Sequence, residues 1–175
     1  MGQPQRTNIV LIGMPASGKS TVGVLLAKRL RKSFVDTDLY LQQRCGQSLA
    51  EILASGGNAH FRALEEEAIL GLDCTDTVIA TGGSVVYSAR AMEHLRSLGV
   101  VVYLRAELEE LAERIGDLDA RAVVRAAGQS LASLFAERAP LYARYADVVV
   151  PVGGADQQAV VERVVRLLDE WGGGW

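Results

Sequence analysis

A glycine-rich loop that follows a short apolar run and precedes a helical pattern constrains the fold of this chain more than any other feature. Residues 13–20 read Gly-Met-Pro-Ala-Ser-Gly-Lys-Ser, which fits G-x-x-x-x-G-K-[ST], directly after the apolar residues 9–12. In such a loop, backbone N–H groups and the N-terminus of the next helix converge on a small volume that attracts anions. A glycine-rich turn with an incidental lysine is the alternative, and the flanking patterns favour a phosphate-binding loop.

Each polar residue of this loop has an expected task. Lys19 is expected to reach the terminal phosphates of a nucleotide as a mobile charge, and the Ser20 hydroxyl to bind Mg²⁺. Thr21 lies next to Ser20 on the phosphate side. The predicted nucleotide-binding residues of the loop are Gly13, Ala16, Ser17, Gly18, Lys19, Ser20 and Thr21.

Length, charge and cysteine content narrow the class of protein. The 175 residues fit a single domain that needs no disulfides, and the net charge of -3 gives no general attraction to nucleic acid or anionic lipid. Cys45 and Cys74 lack metal-binding spacing and are expected to be buried or partly buried thiols in a reducing compartment. No signal sequence is recognisable, and no apolar stretch approaches the ~20 residues of a membrane span. We therefore expect a cytoplasmic monomer without nucleic-acid or membrane partners.

Apolar runs alternate with helical patterns along the chain. Runs rich in Val and Ile with little polar alternation are typical of strands buried on both faces, hence of a parallel sheet covered by helices on both sides. The sequence therefore predicts a three-layer α/β sandwich with a five-stranded parallel sheet, of the P-loop NTPase type. The predicted strands are residues 8–12, 33–36, 77–81, 100–104 and 147–150.

Two segments are predicted to lie outside this sheet-and-helix core. About 40 residues separate the second and third strands, too many for one crossover helix. A capping box at residues 48–51 starts one helix there, Gly56 and Gly57 break it, and another helix begins near Phe61. This insertion, about residues 38–71, is a natural place for a second substrate. Residues 114–128 are predicted to be a mobile flap over the nucleotide, with a plain surface helix as the alternative.

Polar residues follow the second and third strands where parallel strands bind ligands. Asp36 is expected to hold a magnesium-bound water, and Asp38 to orient an attacking hydroxyl and accept its proton. An Asp-x-Asp sequence is also a common helix cap, and Asp38 is able to cap a helix that begins at Leu39. Gly82 and Gly83, before Ser84, let the backbone approach a ligand closely.

Arg62 has two interpretations on spacing alone. Glu65 and Glu66 follow it at helical spacing, so the three side chains are able to form ordinary surface ion pairs. The alternative is a contact between Arg62 and a ligand.

Five motifs in this order and spacing resemble the shikimate kinase family, and the resemblance extends from residue 8 to about residue 168. It implies ATP-dependent phosphorylation of the 3-hydroxyl of shikimate, a step of aromatic amino acid biosynthesis. It also implies an inserted substrate lobe and a lid. The motifs are Gly-x-Pro-x-Ser-Gly-Lys-Ser-Thr at 13–21, Phe-Val-Asp-Thr-Asp at 34–38, Phe-Arg-x-x-Glu at 61–65, Ala-Thr-Gly-Gly at 80–83 and Glu-Arg-x-Pro-Leu-Tyr at 137–142.

The same resemblance implies a role for individual residues. Arg62 and Arg138 would grip the substrate carboxylate, with Glu65 helping to fix Arg62. Arg121 would swing from the lid onto the phosphates, and Arg114 would stack against adenine. The residues implied to contact substrate are Asp38, Arg62, Glu65, Gly82, Gly83, Ser84 and Arg138, and those implied to support magnesium are Ser20 and Asp36.

The chain departs from the family pattern at two places. The third glycine of the family is Ser84 here, and the lid sequence Arg-Pro-Leu-Leu reads Arg-Ala-Val-Val from Arg121. We hypothesise that Ser84 tightens or retunes the substrate pocket. A related kinase for another hydroxy acid, such as gluconate, is the alternative enzyme, and a nucleotide-dependent switch is the alternative of another class. The guanine-binding pattern Asn-Lys-x-Asp is absent.

Overall fold

A five-stranded parallel sheet forms the centre of the fold. The computed structural model describes residues 7–116, 122–172 and 175. The strand order is β2-β3-β1-β4-β5, which confirms the predicted α/β sandwich, and no strand end differs from its predicted position by more than one residue. The strands are β1 (Asn8–Ile12), β2 (Ser33–Asp36), β3 (Thr77–Ala80), β4 (Gly99–Arg105) and β5 (Val148–Pro151).

Helices cover both faces of this sheet. Short polar side chains cap several of them, because a serine or aspartate oxygen accepts the otherwise unpaired amides of a first helical turn. The helices are α1 (Lys19–Leu30), α2 (Thr37–Cys45), α3 (Leu49–Leu70), α4 (Ala89–Leu98), α5 (Leu108–Ile115), α6 (Leu131–Tyr145) and α7 (Gln157–Trp171), with a short 3-10 helix at Val85–Tyr87.

The middle of the sheet is buried on both faces, which explains the nearly unbroken apolar sequence of its strands. All five residues of β1 are buried, and Ile9 pairs with Val78 on one side and Val100 on the other. A single apolar core surrounds these strands. Because the sheet is parallel, the C-terminal ends of β1, β2 and β3 lie at the same edge, where the polar loops of the chain meet.

Helices α2 and α3 fill the segment between β2 and β3. The capping box predicted at Ser48 and Glu51 is present, and the predicted break falls at Gly57, whose φ of 69° and ψ of -170° interrupt the helical backbone of α3. The two helices share a small apolar cluster of their own. Val124 packs into this cluster, so the segment that follows residue 121 is held against the α2–α3 lobe.

Three further properties concern the described residues only. None of the helices in these parts of the chain is long and apolar enough to cross a membrane. Within the same ranges, no group of three or more His, Cys, Asp or Glu side chains is arranged to hold a metal ion. Cys45 and Cys74 are free thiols, and both are partly buried.

Candidate active site

The glycine-rich loop between β1 and α1 adopts a conformation that directs its amides inward. Gly13, Ala16 and Gly18 all have positive φ angles, of 150°, 63° and 97°. Gly18 is the N-cap of α1 and has no side chain to accept the first helical amides. Those amides and the N-terminal end of the helix dipole are therefore left to bind an anion.

The Lys19 side chain lies back over this loop. Its Nζ donates hydrogen bonds of 2.8 Å to the carbonyl oxygens of Gly13 and Met14, and the residue is 8% exposed. Burial lowers the pKa of Lys19 to about 8, while the negative charge of Asp38 opposes that shift. An anion bound in the loop would stabilise the charged form of this buried ammonium.

Asp36 joins β2 to the loop and to α2. The Ser20 hydroxyl donates a 2.6 Å hydrogen bond to its Oδ2, and its Oδ1 accepts from the amides of Asp38 and Leu39. The N-cap of α2 is therefore Asp36, and the helix begins at Thr37. The expectation that Asp38 caps a helix from Leu39 is wrong, because the carboxylate two residues earlier already binds those amides.

The buried carboxyl group of Glu65 and the partly buried carboxyl group of Asp38 converge on Gly82. A Cβ atom placed on Gly82 would lie 2.6 Å from Oε1 of Glu65 and 2.7 Å from Oδ1 of Asp38, so only glycine leaves room for both. Burial raises the pKa of Asp38 to about 6 and that of Glu65 to about 7. The Thr37 hydroxyl accepts a 3.1 Å hydrogen bond from the Gly82 amide, which fixes this turn against α2.

Ser84 contacts Glu65 directly. Its hydroxyl donates a 2.6 Å hydrogen bond to Oε2 of Glu65, and both residues are at most 5% exposed. Oε1 of Glu65 is buried without a hydrogen-bond partner. The serine that departs from the family pattern thus occupies one oxygen of a predicted site carboxylate.

Arg138 is a buried cation beside the same turn. It is 1% exposed; its Nε donates a 3.1 Å hydrogen bond to the Tyr87 hydroxyl, and its Nη2 donates to the Val124 carbonyl. No ion pair among the described residues includes Arg138. A Cβ on Gly83 would lie 3.1 Å from its Nη1, so the absence of a side chain there leaves room beside that nitrogen.

The resemblance implies that Glu65 fixes Arg62, but the two side chains form no ion pair in the structure. Its Cζ lies 4.0 Å from the centroid of the Tyr87 ring, and its Nε is buried without a hydrogen-bond partner. Glu66, the other acid at helical spacing, pairs with Arg90 instead. The ordinary surface ion pairs that the spacing permits at Arg62 are therefore not formed, and the stack on Tyr87 takes their place.

Most of the predicted residues line one cavity of about 370 Å³ at the C-terminal edge of the sheet. Arg62 lines a neighbouring cavity of about 280 Å³, and Glu65 and Ser84 form part of both walls. The predicted residues in the larger cavity are Ala16, Gly18, Lys19, Ser20, Thr21, Asp38, Glu65, Gly82, Gly83, Ser84 and Arg138.

A cavity of about 550 Å³ lies on the other side of the glycine-rich loop. Arg114 lines it together with Thr21 and the N-terminal part of α7, around Asp156. The position agrees with the expected place of a nucleotide base next to its phosphates. Arg121, the predicted lid arginine, lies outside the described residues.

Sequence reasoning missed three parts of this site. Tyr87 contacts both predicted substrate arginines, Phe61 lines the main cavity, and Val124 accepts a hydrogen bond from Arg138 through its carbonyl. Phe61 stands beside Arg62 in a recognised motif, so its position was available from the sequence. Val124 ends the lid sequence that begins at Arg121, but that pattern does not indicate its contact with Arg138. No local pattern marks Tyr87, because its contacts join residues that are distant along the chain.

Comparison with known proteins gives a consistent result. The family model described as shikimate kinase matches residues 15–169. A shikimate kinase of Francisella tularensis subsp. novicida is 37% identical over 167 residues, which cover 93% of this chain and 95% of the relative.

Solved structures agree with the sequence comparison. A shikimate kinase from Acinetobacter baumannii, solved in complex with shikimate, superposes with a TM-score of 0.87 at 28% identity and covers 95% of this chain and 94% of that one. A gluconokinase from Sinorhizobium meliloti has a TM-score of 0.55 at 18% identity over 94% of this chain and 93% of that one, which shows a shared fold alone. The comparisons therefore separate the two enzyme classes that the motifs left open.

Proposed function

The chain belongs to the shikimate kinase family, and from this premise we propose that it transfers the γ-phosphate of ATP to the 3-hydroxyl of shikimate. It is an ATP-dependent kinase rather than a nucleotide-dependent switch, and the shikimate pathway is its setting. We propose a role for each site residue from the family resemblance together with the geometry of the site.

The observation that carries the proposal is the buried Arg138 guanidinium. It faces the cavity that also contains Lys19, and no ion pair among the described residues balances its charge. A buried guanidinium without an anion is costly, and a planar carboxylate matches its fork of donors. A carboxylate ligand such as shikimate supplies that anion, and Arg62 would contribute a second fork.

The nucleotide would lie across the glycine-rich loop. Its phosphates would accept hydrogen bonds from the loop amides and from Lys19, while the base would enter the cavity lined by Arg114. The terminal phosphate would then point toward the cavity that Asp38 and Arg138 line. The acceptor hydroxyl and the phosphate would then meet at the C-terminal edge of the sheet.

Ser20 and Asp36 fit the requirements of a Mg²⁺ site. Both offer oxygen atoms, the ligands that this hard cation prefers, and the two side chains are already within 2.6 Å of each other. Magnesium in kinases is commonly held by one or two protein groups together with substrate phosphates and waters, so the Ser20 hydroxyl would bind the ion and Asp36 would hold one of its waters. When bound, the ion would neutralise charge on the phosphates.

Asp38 would orient the attacking hydroxyl and accept its proton. Its carboxylate lies next to the Gly82 turn and in the same cavity as Lys19. A substrate held by the arginines would therefore present a hydroxyl between Asp38 and Lys19. Arg121 would add positive charge to the transferring phosphoryl group when the lid closes over the site, as the resemblance implies. Lid closure would also exclude water and so protect ATP from hydrolysis.

We also propose the domain organisation, the cellular location and the assembly of the protein. A single domain with a substrate lobe at about 38–71 and a lid at about 114–128 agrees with the packing of Val124 onto the lobe. A cytoplasmic location agrees with two free cysteines. A monomer is the simplest assembly for a site built from one chain, and light scattering after size-exclusion chromatography measures it directly.

A coupled assay of ADP release tests the proposed function. Shikimate, quinate and gluconate would each be supplied at equal concentration with saturating ATP and Mg²⁺. We expect ADP release to depend on shikimate, with kcat/KM for shikimate at least 100-fold above that for gluconate. Equal turnover of gluconate, or ADP release that no hydroxy acid stimulates, would contradict the proposed substrate.

A further inference from the structure

We propose that Tyr87 is a positioning residue that holds the guanidinium groups of Arg62 and Arg138 ready for the substrate carboxylate. This inference rests on the proposed function, since it concerns the same carboxylate subsite. It assigns a task to a residue that no motif of the sequence marks.

The ring of Tyr87 contacts both arginines. The Arg62 Cζ lies 4.0 Å from its ring centroid, and the Arg138 Cζ lies 5.1 Å from it. Two guanidinium groups gathered at one subsite repel each other before an anion binds. The negative face of an aromatic ring attracts such cations, so the ring lowers the cost of bringing them together.

The Tyr87 hydroxyl is held on both sides. It accepts a hydrogen bond from Nε of Arg138 and donates one to Glu137, and Gln129 in turn donates to Glu137 at 3.0 Å. Donation to a carboxylate increases electron density on the phenol ring, which strengthens its attraction for Arg62. The ring therefore contacts both arginines, and the hydroxyl binds Arg138 in addition.

The backbone that carries Tyr87 is fixed. It closes the 3-10 helix Val85–Tyr87, whose first two side chains are buried in the core. The Tyr142 hydroxyl donates a 2.6 Å hydrogen bond to the carbonyl of Gly83, two residues before this helix. An aromatic ring on so rigid a support restricts the positions open to a long, flexible arginine side chain.

Stacking also leaves the donors of Arg62 available. An ion pair with Glu65 would direct part of its guanidinium fork toward a protein carboxylate, but the Ser84 hydroxyl binds Oε2 of Glu65 instead. The buried Nε of Arg62 has no hydrogen-bond partner, which marks a donor still to be used. The ring thus orients the guanidinium without competing for the hydrogen bonds that a substrate carboxylate would accept.

The size of the effect follows from the fraction of molecules in which Arg62 is correctly placed. Apparent affinity falls in proportion to that fraction, so a side chain of similar bulk without an aromatic face should weaken shikimate binding about tenfold. Tyr87→Leu removes the aromatic face, and Tyr87→Phe keeps it while removing only the hydroxyl. Tyr145→Leu is the matched control, because Tyr145 also stacks on an arginine but lies at the far end of α6.

Isothermal titration of the full chain with shikimate and with its neutral methyl ester tests the proposal. For Tyr87→Leu we expect about tenfold weaker binding of shikimate and less than twofold change for the ester. Its KM for shikimate should rise while KM for ATP and kcat change less than threefold. Tyr87→Phe should bind shikimate within threefold of wild type, and Tyr145→Leu should match wild type with both ligands.

Several outcomes would overturn the assignment. These are unchanged shikimate affinity in Tyr87→Leu, equal losses for acid and ester, or a Phe variant as weak as the Leu variant. If Tyr87→Leu does not fold, Tyr87→Met provides the same test with a more adaptable side chain. A wild-type protein that neither turns over shikimate nor prefers the acid to the ester would instead refute the proposed function itself.

Discussion

The Ser84 hydroxyl donates a 2.6 Å hydrogen bond to Oε2 of the buried Glu65. This bond links the one residue of the glycine turn that departs from the family pattern to a carboxyl group that faces the substrate cavity. The position and charge of Glu65 therefore depend on a hydroxyl that a glycine at this position would not supply.

The first prediction concerns Ser84. Ser84→Ala removes the hydroxyl and leaves both oxygens of Glu65 without a partner, so we expect a loss of about 1–3 kcal/mol in unfolding free energy and a change of more than twofold in kcat/KM for shikimate. Ser84→Gly also removes the Cβ, and its KM for shikimate should differ from that of wild type by more than the KM of Ser84→Ala does. Urea unfolding and steady-state kinetics measure both effects. Ser97→Ala, on the exposed side of α4, is the control. If both Ser84 variants had the same kinetics as wild type, Ser84 would have no part in substrate specificity.

The second prediction concerns the pH dependence of stability. Burial raises the pKa of Glu65 from 4.5 to about 7, so the folded protein binds this proton more tightly than the unfolded chain does. The stabilisation is complete below pH 4.5 and is lost as the pH rises through about 7. Relative to Glu65→Gln, wild type should lose on the order of 3 kcal/mol of unfolding free energy over this range.

Chemical denaturation at a series of pH values checks this difference. Glu113→Gln, an exposed substitution on α5, is the control and should leave the pH dependence of wild type intact. A Glu65→Gln curve parallel to that of wild type from pH 5 to pH 8 would show that Glu65 does not titrate differently in the folded protein.

The third prediction concerns Gly82. In Gly82→Ala the new methyl group would lie within 2.7 Å of oxygens of both Glu65 and Asp38, so these carboxyl groups must move apart. Both contacts are with side-chain ends, and we therefore expect a small loss of stability but a fall in kcat of about 100-fold through a displaced base. Gly71→Ala, at the end of α3, is the matched control. A kcat close to that of wild type in Gly82→Ala would mean that the positions of these carboxyl groups are not critical for catalysis.

The fourth prediction concerns Asp38. Asp38→Asn keeps the shape of the side chain but cannot accept the proton of the substrate hydroxyl, so kcat should fall about 100-fold or more. The affinity for ATP should remain within threefold of wild type, because the glycine-rich loop is untouched. Single-turnover kinetics with direct nucleotide titration separates the two quantities, and near-normal turnover in Asp38→Asn would rule out Asp38 as the base.

The architecture was predictable because its determinants are local in the sequence. Uninterrupted apolar runs such as the valine-rich β4 are typical of a sheet covered on both faces. The spacing of glycine, lysine and serine in residues 13–20 specifies a loop conformation by itself. Even the break in α3 was visible as a pair of glycines. In each case neighbouring residues carry enough information to specify the backbone.

The finer arrangement of the site depends on distances between elements that no local pattern records. Whether Asp36 or Asp38 caps α2 is decided by the position of the β2 end relative to the helix, and the structure selects Asp36. Glu65 meets Ser84 rather than Arg62 because α3 and the glycine turn approach closely in space. The sequence does not indicate the role of Tyr87 for the same reason, since its partners Arg62 and Arg138 belong to α3 and α6.

A crystal structure with shikimate and a non-hydrolysable ATP analogue tests the central claim most directly. We predict that the shikimate carboxylate lies within hydrogen-bond distance of the Arg62 and Arg138 guanidinium groups, with the 3-hydroxyl beside Asp38 and facing the γ-phosphate. A complex in which both guanidinium groups point away from the bound acid, or in which the 3-hydroxyl faces solvent, would contradict the account.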